Sequence, residues 1–94
     1  MLIIKVYTAK IIDDLSEEGF KGKDLGEALL FAEEKINEYW VDSPVKGRSA
    51  EEKEYAKKCS DYKKMVKDIK EFAKAISHKF VFNAERRTYD LTKR

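Results

Sequence analysis

Residues 2–9 read LIIKVYTA, and the architecture turns on how this run is taken. β-branched residues dominate it, and its side chains alternate. Leu2, Ile4, Val6 and Thr8 fall on one side, with Ile3, Lys5, Tyr7 and Ala9 on the other. That pattern predicts a β-strand with the first set facing the core. Ile11 and Ile12 extend it. The following DDLSEEGFKGK, residues 13–23, carries Gly19 and Gly22 around Phe20 and predicts an irregular loop or a short extra strand.

Two helices follow. Asp24 with Glu27 three residues on is a capping-box spacing, and Leu25, Ala28, Leu29, Ala32, Ile36, Tyr39 and Trp40 then share one face. Leu30 and Phe31 lie off that face, as residues between two packed layers do. Pro44 and Gly47 end the helix and turn the chain; Ser49 and Glu52 repeat the capping pattern. The second helix, over about residues 50–77, carries Tyr55, Cys59, Tyr62, Val66, Ile69, Ala73, Ile76 and Phe80 at alternating steps of four and three. Met65 and Phe72 widen that stripe in its second half, predicting deeper burial there.

The end of the chain is a β-hairpin by its own register. Placing Phe82 opposite Tyr89 sets Phe80 opposite Leu91, with all four on one face. Residues 84–87, AERR, become a four-residue loop opened by Asn83, whose side chain suits a turn. The expected fold is therefore a single α+β domain over residues 1–94, ordered β-α-α-β-β. A three-stranded antiparallel sheet, strand order 1-2-3, is covered on one face by a helical hairpin with a long second helix.

Composition narrows function. The 94 residues are 40% charged and 43% hydrophobic, as in a folded and soluble chain. No apolar run approaches transmembrane length, so no membrane is expected. The single cysteine, Cys59, has no internal disulfide partner, which points to a reducing, intracellular (cytoplasmic) setting. Catalytic devices are missing: Cys59 and His78, 19 residues apart on one predicted helix, would lie about 28 Å apart. Neither a zinc cluster, a calcium-loop spacing nor a phosphate-binding glycine loop occurs, so no metal or cofactor is expected.

Charge is uneven. Residues 1–43 hold 5 lysines against 10 acids, and residues 44–94 hold 15 Lys and Arg against 8 acids. Two surfaces follow. A protein-binding reading uses Tyr39, Trp40, Arg48 and Tyr55 at the tip of the helical hairpin, with Arg86 and Arg87 in the loop, since Trp, Tyr and Arg dominate interface energies. An alternative, nucleic-acid-binding reading uses Lys53, Lys57, Lys64, Lys67 and Lys74 on one side of the second helix, together with the Arg86–Arg87 loop. Self-association into a homodimer through that helix is a third use of the same residues. Small size, abundant lysine and the missing catalytic constellation favour a non-enzymatic regulator, such as a phage or mobile-element inhibitor of a host protein.

Overall fold

The computed structural model describes residues 2–42 and 45–94; Pro44, expected to turn the chain, lies outside them. The order is α1 (Leu2–Ser16), α2 (Leu25–Glu38), a 3₁₀ turn (Val45–Gly47), α3 (Ala50–Ala75), β1 (His78–Asn83) and β2 (Thr88–Lys93). The sheet has two antiparallel strands. The expected β-α-α-β-β order and three-stranded sheet are overturned, because residues 2–9 belong to a helix.

The reason is legible around that run. Ile4, Tyr7, Thr8, Ile11, Ile12 and Leu15 recur at helical spacing, whereas strict alternation ends at residue 9. Ile11 and Leu15 of this face are buried, and Tyr7 stacks on Phe72 with ring centroids 3.9 Å apart. The helix also has a defined stop. Gly19 takes φ +92°; its N–H donates to the Ser16 carbonyl (3.1 Å) and that of Phe20 to the Leu15 carbonyl (3.3 Å). These two bonds, with Leu15 and Phe20 both buried, form a Schellman cap. Thus the glycine taken as a loop marker terminates a helix.

α2 and α3 begin as their caps direct. The Asp24 carboxylate accepts from Glu27 N–H at 2.8 Å, and Ser49 and Glu52 form a reciprocal capping box. α3 is continuous through residues 59–61 and ends at Ala75. The turn that follows holds Ser77 at φ +58° and sends Phe80 into β1 rather than into the helical stripe. Leu15, Leu29 and Ile69, one from each helix, are the largest fully buried side chains. Phe20 leads the 17–24 segment back along α2 and meets Phe31 at 5.1 Å, so Phe31 packs on this segment.

The hairpin pairs as its sequence predicts: Phe80 with Leu91, Phe82 with Tyr89, Asn83 with Thr88. Asn83 Oδ1 accepts from the Glu85 and Arg86 amides, closing the loop. β2 runs so close to the start of α2 that a Cβ on Gly26 would sit 1.9 Å from the Tyr89 carbonyl oxygen. The assembly is long, 47 × 24 × 24 Å, with a radius of gyration of 14.7 Å, where a compact chain of this length has about 12 Å.

Candidate protein-binding surfaces

Because α2 and α3 are antiparallel, their connection lies at one end of the molecule, and the hairpin with the first turns of α1 lies at the other. The connection end holds four predicted site residues. Tyr39 meets Tyr55 edge-on at 5.1 Å and stacks with Tyr62 at 6.2 Å, while the Lys58 ammonium lies 5.1 Å from the Tyr39 ring centre. Trp40 turns away from this cluster. It is 54% exposed, its indole N–H donates to Asp42, and the Lys63 ammonium covers its ring at 4.4 Å. Arg48 joins Trp40, Val41, Cys59 and Lys63 around a shallow hollow. The four residues are thus divided into a tyrosine pair and a Trp40–Arg48 pair. Beneath them Tyr62 is buried, and burial pushes its phenol up to about 12, with the Glu18 carboxylate adding to the effect.

The two loop arginines differ. Arg86 is bonded to Asp90 and to Asp24 (3.0 Å), with Glu27 at 3.9 Å, and these carboxylates hold its guanidinium charged. It ties the hairpin loop to the N-cap of α2, which the sequence reading did not foresee. Arg87 is exposed and makes no side-chain hydrogen bond or ion pair among the described residues. Its φ of +57° is a left-handed conformation that glycine or asparagine adopts more readily.

Lys53, Lys57, Lys64, Lys67 and Lys74 are all exposed along α3. Lys67 and Lys74, with Lys63 and Lys70, border an apolar hollow over Val66. Glu71 interrupts this band. Cys59 and His78 lie on different elements: the Cys59 thiol faces the Ile36 carbonyl at 3.6 Å, and His78 Nδ1 lies 2.8 Å from the Ile76 carbonyl. Among the described residues no group of three or more His, Cys, Asp and Glu could hold a metal ion, and no helix is long and apolar enough to cross a membrane.

A concavity of about 700 Å³ was not foreseen. It is a groove between α1 and β2. Ile4, Thr8 and Ile12 form one wall, Tyr89 to Thr92 the other, and Leu25–Gly26 the floor. Its lining is predominantly apolar, and Lys5 and Lys23 stand on the rim. Outside its lining, α1 exposes Leu2, Ile3 and Val6, and β1 exposes Val81 and Phe82. Phe82, on the hairpin face it shares with Phe80, Tyr89 and Leu91, is 54% exposed and rests edge-on against Tyr89 at 5.6 Å. The signal for this site was the helical period of residues 4–15, whose other side leaves Leu2, Ile3 and Val6 unburied.

Neither a family model, a curated protein nor a solved structure matches this chain.

Proposed function

We propose that this chain is a non-enzymatic protein-binding module that engages its partner with the end built from α1 and the β-hairpin. The observations that carry the reading are the predominantly apolar groove and, on the same helix, Leu2, Ile3 and Val6, which stay 77%, 54% and 62% exposed. Contiguous apolar exposure of this kind marks interaction surfaces. The accessible surface of 6724 Å² exceeds the roughly 5,600 Å² of a compact monomer of this mass, as expected when part of the surface is covered in use. Such a module acts by occupying a partner's surface, which is how a small inhibitor works. Trp40, Arg48 and Tyr55, 47 Å being the full length of the molecule, would serve a separate contact.

The test is capture from a native lysate by wild type and by an Ile3→Asp, Val6→Asp double variant that keeps its helical circular dichroism. A protein recovered in equal molar amount by wild type and lost in the variant supports the reading. Equal recovery by both removes it.

A second reading rests on five lysines of α3 that are exposed and make no ion pair among the described residues. It assigns nucleic-acid binding to Lys53, Lys57, Lys64, Lys67 and Lys74, with Arg87 adjoining. Titration with mixed DNA and RNA separates the two. Affinity that falls steeply with salt supports this second reading, and absence of binding at low salt eliminates it.

A further inference from the structure

We infer that the α1–β2 groove receives an extended, acid-flanked apolar peptide, which pairs with the free edge of β2 as a third strand. The inference rests on the protein-binding reading and says how the groove recognises its partner.

Backbone geometry comes first. Arg94 N–H donates to the Ser77 carbonyl at 2.9 Å, so residues 77 and 94 form a hydrogen-bonded pair. Antiparallel pairs alternate between bonded and non-bonded. Asp90 and Thr92 therefore point their backbone groups at β1, while Tyr89, Leu91 and Lys93 point theirs away from it. Among the described residues the sheet has no strand beyond β2. The Tyr89 carbonyl is covered by Gly26. Leu91 and Lys93 have no backbone partner outside the hairpin among the described residues. Four consecutive residues, 89–92, line the groove, so it borders the strand's edge and not one face alone.

A helix laid in the groove would bring no backbone groups to Leu91 and Lys93, since its own are paired internally. An extended segment brings them at alternate residues, and its side chains meet Ile4, Thr8 and Ile12 on α1. Charge selects the flanks. Of the charged residues lining the groove, Asp24 and Asp90 are both held by Arg86, whereas Lys5 and Lys23 make no ion pair among the described residues. The groove therefore offers two uncommitted positive charges to the peptide.

Two measurements test this. In the free protein, amide hydrogen exchange should be fast at Leu91 and Lys93 and slow at Asp90 and Thr92. Equal protection at all four would overturn the edge assignment. Displayed ten-residue peptides are then selected on the intact chain, and the best is resynthesised with single N-methyl amides. Strand addition predicts enrichment of acidic, alternating apolar sequences. It also predicts protection of Leu91 and Lys93 on binding, and at least tenfold weaker binding when N-methylation falls on one register but not on the other. Lys5→Glu with Lys23→Glu should reverse the preference for acidic flanks. Failure to enrich any such peptide, or equal tolerance of N-methylation in both registers, would overturn the inference. If a native partner is still captured through Ile3 and Val6 while Leu91 and Lys93 stay unprotected, the binding-module reading stands and strand addition falls.

Discussion

Gly26→Ala tests the placement of β2 against α2 with one methyl group. Gly26 is the second residue of α2, and helix propensity alone favours alanine there by up to about 1 kcal/mol. The tertiary structure opposes it. The new Cβ would sit 1.9 Å from the Tyr89 carbonyl oxygen and 2.7 Å from the carbonyl carbon. Reaching ordinary contact requires β2 and the start of α2 to separate by about 1.5 Å. The obstacle is backbone in a paired strand, so it yields only if the hairpin moves. That movement loosens Tyr89 and Leu91 on the core and the Arg86–Asp24 bond. Overpacking of this kind costs about 1–3 kcal/mol, and each kcal/mol lowers the melting temperature of a chain this size by roughly 4–8 °C. Gly47→Ala is the control, since nothing lies within 4 Å of its Cβ position. Thermal unfolding followed by circular dichroism should show Gly26→Ala well below wild type and Gly47→Ala unchanged. A Gly26→Ala protein as stable as wild type would refute the packing of β2 on α2, and with it the floor of the groove.

Other substitutions read other parts of the structure. In urea unfolding, Phe82→Ala should cost about 1–2 kcal/mol because the ring is half exposed, whereas Leu29→Ala, fully buried, should cost about 2–5 kcal/mol; equal losses would place Phe82 in the core after all. Gly19→Ala should destabilise by about 1–2 kcal/mol through its φ of +92°, and Arg87→Gly should gain up to about 1 kcal/mol by relieving a φ of +57°. A neutral Gly19→Ala would argue against the Schellman cap. Tyr62 has a folded-state value of about 12 against 10.0 unfolded, so the folded chain keeps the proton longer. Its contribution is present below pH 10 and lost as pH rises through 12; Tyr62→Phe should remove a loss of about 1 kcal/mol between pH 9 and pH 11, seen by comparing urea midpoints at the two pH values.

Local signals were legible wherever a decision needed only neighbouring residues. Asp24, Ser49 and Glu52 cap the helices that follow them. The hairpin register follows from matching alternation in two short strands joined by a four-residue loop. The candidate site was legible only in part. Tyr39 and Tyr55 do meet, but Trp40 faces elsewhere, because adjacent residues at a helix end diverge in direction. Arg86 reads in sequence as a free loop cation, and nothing nearby in the chain announces Asp24, 62 residues away.

What the sequence determined by itself is therefore the starts of α2 and α3 and the register of the hairpin. What only the tertiary structure decided is the state of residues 2–9 and everything that depends on it. Ile3, Ile4, Val6 and Thr8 suit a strand by propensity, yet Ile4, Tyr7, Ile11 and Leu15 suit a helix by period. Intrinsic preference differs between the two states by only about 1 kcal/mol over such residues. Burying Ile11 and Leu15 and stacking Tyr7 on Phe72 outweighs that difference. Residues 2–9, expected to pair beside the 78–83 strand, instead form α1, which faces β2 across the groove.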